Sequence, residues 1–274
     1  MDVFRYGRDA LVTGGSSGIG LATARLLADN GFRVFAASRH PPAAVTGLAS
    51  GGCIVPLTLD VSSSASVDAA MAQLDTVGVV VHAAGIGIAG AAADTPDDAA
   101  HRQFETNYFG VLRVNRALLP GMMAAGRGLV VLVGSVASMF PIPFQSHYSS
   151  SKAALAAYGR ALAMELAGSG VRVAVVEPGD TKTAFTDSRT FETAPESPFH
   201  DACLASVARM ERDERNGRPP EAVARQILAL TRRRRPGIHS VVGLDYNLLV
   251  GLGRLLPTSA IDFALRKMYV RGGR

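Results

Sequence analysis

Short apolar runs rich in β-branched residues alternate with stretches of helical period along most of the chain. ALVTG (10–14), RVFAAS (33–38), IVPLTLD (54–60), VGVVVHAAG (77–85), GLVVLVGS (128–135) and VRVAVVEPG (171–179) read as strands. Their apolar residues are consecutive rather than alternate, as expected of strands covered on both faces. Helices are predicted at 18–31, where a glycine stops the first, and near 64–75, 97–124 and 148–168. Repeated βαβ units with buried strands specify an α/β fold: a doubly wound parallel sheet of Rossmann type, joined by right-handed crossovers.

The alternation ends at Gly179. TKTAFTDSRTFETAPESPF is polar, carries Pro195 and Pro198, and reads as a loop. Helices follow at about 200–215 and 219–233, then a short strand at HSVVG, then an apolar stretch that Pro257 divides in two. No long linker or internal repeat interrupts the chain. The expectation is one nucleotide-binding domain over 1–274, with about 180–235 covering the substrate and about 244–274 forming a helical tail.

Composition narrows the class. Hydrophobic residues at 48% and charged ones at 19% fit a globular protein. Cys53 and Cys203 are the only cysteines, have no CxxC spacing and have no histidine cluster beside them, so neither a disulfide framework nor a metal site is expected. No stretch reaches the roughly 18 apolar residues of a membrane span, and the start lacks a signal-peptide pattern, which points to the cytoplasm. The net charge of +5 is modest, and Arg232 to Arg235 supply much of it after the helical EAVARQILALT. Positive charge is favoured at a helix C-terminus, so the run is read that way and no nucleic-acid partner is inferred.

Sheets of this kind bind ligands beyond the carboxyl ends of their strands, where strand order reverses. TGGSSGIG (13–20) stands there, after the first strand and at the head of a helix. Gly14, Gly18 and Gly20 permit a tight turn, and the helix N-terminus offers free N–H groups and a positive dipole to a pyrophosphate. A Walker A loop is excluded because Gly20 is followed by Leu21 rather than by Lys and Ser/Thr. HYSSSKAAL (147–155) places Tyr148 and Lys152 four apart, on one face of a helix. Ser150 points away on that geometry, and the three serines read as spacers.

These two motifs, TGxxxGxG and YxxxK, resemble those of the short-chain dehydrogenase/reductase family in its single-domain branch. The likeness runs from about residue 8 to residue 185, with the markers in order. It implies a Rossmann-type sheet binding NAD(H) or NADP(H), and hydride transfer between nicotinamide and a carbonyl or alcohol. The resemblance assigns Thr13, Gly14, Ser16, Ser17, Gly18, Ile19 and Gly20 to the phosphate loop, and Asp60 and Val61 to the adenine ring. It assigns Ala83, Ala84 and Gly85 to a close approach of the fourth strand's end. The sequence departs here, with HAAG where the family usually has NNAG; His82 is read as a packed residue, not a catalyst. Pro178 and Gly179 match the family's PG turn, with Thr181 and Thr183 toward the nicotinamide or phosphates.

Cofactor choice is set after the second strand, where an acidic residue suits the NAD ribose and an arginine suits the 2′-phosphate of NADP. Ser38 and Arg39 stand there, and Ser16 is within the adjoining loop, so NADP(H) is expected. Reducing a ketone leaves an alkoxide that needs a proton and charge stabilisation. Tyr148 is the expected acid/base, Lys152 the charge that favours its phenolate, and Ser135, with Ser138 as a rival, the group that orients the substrate oxygen. The family places Asn107 in a proton relay to the lysine.

The chain is therefore expected to be a cytoplasmic NADP(H)-dependent oxidoreductase interconverting a small-molecule ketone and a secondary alcohol. The tail broadly resembles steroid- and retinol-type members, which suggests a lipophilic or polycyclic substrate lined by Phe140, Ile142, Phe144, Phe185 and Phe191. Family members associate through the helices at 97–124 and 148–168, so a homodimer or homotetramer is expected. The alternative is a catalytically silent NADP(H)-binding sensor or scaffold.

Overall fold

The computed structural model describes residues 3–270; residues 1–2 and 271–274, the ends of the expected domain and of its tail, lie outside the described residues. Strand β1 (Asp9–Thr13) leads through α1 (Gly18–Asp29) to β2 (Arg33–Ser38), β3 (Cys53–Thr58), α2 (Ser64–Met71) and β4 (Val79–His82). A two-residue strand, β5 (Ile88–Ala89), precedes α3 (Asp97–Phe104), a π-helical turn (Glu105–Phe109) and α4 (Gly110–Ala124). Next come β6 (Gly128–Val133), a 3₁₀ turn (Val136–Ser138), α5 (Ser146–Glu165) and β7 (Val171–Glu177). Beyond the polar loop stand β8 (Thr190–Phe191), α6 (His200–Arg215), α7 (Pro220–Thr231), β9 (His239–Val241), α8 (Leu244–Gly253) and α9 (Thr258–Tyr269).

Seven strands form one sheet in the order β3-β2-β1-β4-β6-β7-β9, every neighbouring pair parallel. The consecutive apolar residues do what their pattern predicts. Leu11, Val80, Val130, Leu132, Val173 and Val175 pack toward α2, α4 and α5, while Val12, Val79, Val81, Leu129, Val131 and Val176 pack toward α1 and α7. Successive strand side chains alternate between faces, so a strand between two helical layers must be apolar throughout. Gly159 lets α5 approach the sheet closely, since a Cβ there would lie 2.7 Å from Val175 and 2.8 Å from Leu132.

Several predicted strands stop early. The ladder ends at Thr58, His82, Val133 and Glu177, and the residues after each turn away from it. Those turns line the crevice. Strand order reverses at β1, which lies between β2 and β4, and this sets the place of the site. The pairing of β5 with β8 was not legible in the sequence; it pins the polar loop to the chain after β4 through Thr190 N–H to Gly87 O (3.1 Å) and Glu192 N–H to Ala89 O (2.8 Å).

Candidate active site

A cavity of about 630 Å³ runs along the carboxyl ends of β1, β2, β3, β4, β6 and β7. One end is the glycine loop. Gly14 and Gly18 have φ of 67° and 50°, and a Cβ on Gly20 would lie 2.1 Å from the carbonyl oxygen of Gly14. Glycine is thus required both for backbone conformation and for helix-to-turn contact. Ser17 starts α1 with no side-chain cap, which leaves the first N–H groups of the helix directed at the cavity mouth. Ser16, Ser17, Gly18, Ile19, Gly20, Ser38, Arg39, Asp60, Val61, Ala83, Ala84 and Gly85 all line this space. Thr13 does not; it is buried behind the loop, and its hydroxyl accepts the Ala84 N–H at 3.2 Å.

The adenosine end carries two further features. Ser38 Oγ is buried with no hydrogen-bond partner. Asp60 accepts the Ser62 hydroxyl (2.6 Å) and N–H (2.9 Å), which holds its carboxyl below the usual range, with Arg39 adding to the effect.

At the other end Ser135, Tyr148, Lys152, Pro178, Gly179, Thr181 and Thr183 meet in the same wall. Ser135 and its rival are separated by their partners: Ser135 lines the cavity, while Ser138 donates its hydroxyl to the buried Glu177 carboxylate at 3.0 Å. Lys152 donates to the carbonyl oxygen of Val133 at 2.9 Å, and its Nζ lies 5.8 Å from the Tyr148 ring centre. Burial pushes the Tyr148 phenol up to about 12, against the downward pull of its Ser135 hydrogen bond, and pushes Lys152 down to about 8. Burial is thus the largest influence on the phenol, with Glu214 adding to it and Ser135 and Arg189 opposing it. The phenol stays protonated at neutral pH.

Asn107 sits behind this wall, not in it. The π-helical turn that contains it is a local widening of the helix, which frees the side chain to face the strand ends. Asn107 accepts the Ile86 N–H (2.9 Å) and donates to the Ile86 carbonyl (3.1 Å) and to Ser151 Oγ (3.1 Å). Two of the presumed spacers therefore have partners: Ser151 donates to the Tyr148 carbonyl (2.7 Å), and Ser149 accepts the Ile142 N–H (3.2 Å). Ser150 is exposed, as its angle on the helix required.

In HAAG, His82 is fully buried and bonds Asn115 Oδ1 at 2.8 Å, and Asn115 donates to the Tyr158 hydroxyl at 3.1 Å. Burial pushes the imidazole down to about 4, so it is neutral and packed. Asn115, a helix residue that the motif did not include, supplies the amide partner at this strand end.

The polar loop closes over Tyr148. Phe185 packs against its ring in a tilted arrangement, 5.7 Å between ring centres, and fills the space beside Gly87. Glu214 of α6 holds this segment, accepting Thr186 Oγ1 at 2.6 Å and pairing with the buried Arg189. Of the five apolar residues expected around a substrate, Ile142 and Phe185 line the cavity. Phe140 lines a neighbouring one. Phe144 instead packs against Cys203, Val207 and Met210, and Phe191 lies in β8 with its ring exposed. His40, Glu105, Gln145, Asp180 and Glu214 also line the site and were missed: Asp180 stands at an unspecified position of the PG turn, and the others lie outside the motifs.

Among the described residues there is no cluster of three metal-ligating side chains, and no helix is long and apolar enough to cross a membrane. The family described as short chain dehydrogenase matches residues 8–193. A 3-ketodihydrosphingosine reductase of Bacteroides thetaiotaomicron is 34% identical over 266 residues, covering 94% of this chain and 97% of that one. The Escherichia coli K12 protein described as uncharacterized oxidoreductase YbbO is 31% identical, covering 94% of each chain. Among solved structures, a short-chain dehydrogenase from Streptomyces avermitilis superposes with a TM-score of 0.79 at 26% identity, covering 95% of this chain and 96% of that one. With the glycine loop, the parallel sheet and the Ser135, Tyr148 and Lys152 wall already in one cleft, these likenesses agree: the chain belongs to the short-chain dehydrogenase/reductase family of oxidoreductases.

Proposed function

We propose that the protein is an NADP(H)-dependent ketoreductase or alcohol dehydrogenase acting on a lipophilic ketone or secondary alcohol. The observation that carries this reading is the meeting of Ser135, Tyr148 and Lys152 in one wall of a cavity whose other end is the glycine loop. The residues present fit the cofactor. The uncapped start of α1 suits the pyrophosphate, Asp60 and Val61 flank the adenine position, and Ser16, Ser38 and Arg39 would hold the 2′-phosphate. The unpartnered Ser38 hydroxyl supports that assignment, since a buried donor without an acceptor is costly unless a ligand supplies one. Lys152 and the Thr181 and Thr183 turn would hold the nicotinamide half, and the bound cofactor supplies the hydride.

The chain's own residues manage the proton. Tyr148, protonated at neutral pH, donates to the substrate oxygen as negative charge develops there, and accepts the proton in the reverse direction. Ser135 orients that oxygen, and the Lys152 ammonium stabilises the phenolate that forms. Asn107 positions the Lys152 end of the site through Ile86 and Ser151. Phe185 packs against the Tyr148 ring at the same end of the cavity. The Bacteroides relative, named as a reductase of a 3-keto compound, supports the ketone reading. On this reading the whole chain acts as one nucleotide-binding domain, with 180–235 covering the substrate. It works in the cytoplasm as a homodimer or homotetramer, an association supported by the exposed Phe109, Met123 and Met164 on and beside α4 and α5.

The test is NADPH oxidation against steroids, retinals, polyketide-like ketones, open-chain ketones and small aldehydes, with Tyr148→Phe alongside. Turnover of a lipophilic ketone, cut by orders of magnitude in the variant while NADPH binding persists, is expected. Tight NADPH binding without turnover of any carbonyl would instead mark a sensor.

A further inference from the structure

A second cavity, of about 810 Å³, adjoins the first and shares Val136, Ile142 and Asp180 with it. Val136 directly follows Ser135, so the two spaces meet beside the group proposed to orient the substrate oxygen. One wall is a stripe of α8 and the residues after it, including Leu249, Leu252 and Leu256; the other is a stripe of α9, including Ile261, Leu265 and Met268. From Asp245 to Gly253 the α8 wall extends roughly 12 Å. The dimension suits something long.

The charged side chains in this space already have partners. Arg209 pairs with Asp213 at 2.8 Å and Arg218 with Asp245 at 2.6 Å. Asp180 accepts the Tyr246 hydroxyl at 2.6 Å, while the Tyr246 ring rests on Gly179, where a Cβ would lie 2.1 Å from it. Tyr246 thereby fixes the partition between the two cavities. Apolar side chains on the α8 wall are left uncovered beside these ion pairs: Leu249 is 48% exposed, Leu252 59% and Leu256 54%. Contiguous exposed apolar surface of this kind marks an interaction site. An uncharged hydrocarbon chain would cover it without breaking an ion pair.

We infer that the α8–α9 cavity is a compartment for the alkyl chain of an open-chain ketone or alcohol whose oxygen lies at Tyr148 and Ser135. This deepens the ketone reading of the first cavity and rests on it. The chain enters past Val136 and Ile142, over the Asp180–Tyr246 partition, and lies between the two helical stripes. Rings fused into a rigid plate would have to bend at that partition; an alkyl chain turns there freely.

Calorimetric binding to the NADPH-loaded protein of methyl ketones from butanone to dodecanone tests the compartment, and NADPH oxidation by the same ketones tests the reaction. Affinity is expected to rise by about fourfold per methylene while the chain is entering the compartment, then level off. Ala264→Phe and Ala260→Phe, at exposed positions that line it, should bring the plateau to shorter chains. Length-dependent binding without oxidation would overturn the ketone reading and still support the compartment. Equal affinity at every length, or a plateau that neither substitution moves, would overturn the compartment even with ketone turnover intact. So would a change in sedimentation alone, because the groove would then be a contact between copies of the chain.

Discussion

The ammonium of Lys152 donates to the carbonyl oxygen of Val133, at the point where β6 leaves the sheet. Burial lowers its pKa from 10.5 to about 8. On the proposed mechanism ketone reduction needs the ammonium, so kcat/KM for reduction should fall as pH rises through about 8. In Lys152→Arg, where the charge persists, activity should be much lower and the alkaline limb should move up. A pH profile of both proteins checks this. An unchanged limb in the variant would remove Lys152 from the proton chemistry.

The neutral, buried His82 gives a stability prediction. Its acidity lies at about 4 when folded and at the ordinary 6.5 when unfolded. Between those values the unfolded chain binds more protons, so stability is lost as pH falls from 6.5 toward 4 and is complete above that window. The full effect is on the order of 3 kcal/mol. Denaturant titrations should show His82→Asn losing much of this acid dependence, since Asn does not titrate.

On the proposed NADP(H) reading Arg39 decides cofactor preference, with Ser38 beside it and Asp60 within electrostatic reach. Arg39→Ala should raise KM for NADPH roughly ten- to a hundredfold, the size of a lost charge-assisted contact, and leave KM for NADH nearly unchanged. Equal losses with both cofactors would show that Arg39 does not read the 2′-phosphate.

Glycines of the same chain should respond oppositely to a methyl group. At Gly20 it would meet the Gly14 backbone at 2.1 Å, whereas at Gly121 in α4 nothing lies within 4 Å. Gly20→Ala should destabilise by about 1–3 kcal/mol and abolish NADPH binding, because backbone cannot move aside as a flexible side chain does. Gly121→Ala should be stabilising by roughly 0.5–1 kcal/mol. Thermal melts with and without NADPH distinguish the two.

Local pattern was enough for the layered fold and for bringing most motif residues to one cavity, Thr13 and Asn107 standing behind its wall. Consecutive apolar strand positions required two helical layers, and the glycine spacing after β1 required a tight turn into a helix. Motif residues were readable because each stands at a fixed offset from a strand end or on one helix face.

Tertiary structure decided what depends on partners distant in sequence. It separated Ser135 from Ser138 through Glu177, 39 residues away. It gave Ser149 and Ser151 roles that the helix alone could not, because their partners Ile142 and Asn107 lie on other segments. It buried the Tyr148 phenol, since helical spacing reveals a neighbouring charge but not desolvation. The α8–α9 cavity likewise forms only where the two tail helices face the loop after Ser135, a meeting that the tail's apolar pattern alone does not specify. Periodicity records which face of an element is buried; what that face meets is settled only when the chain closes on itself.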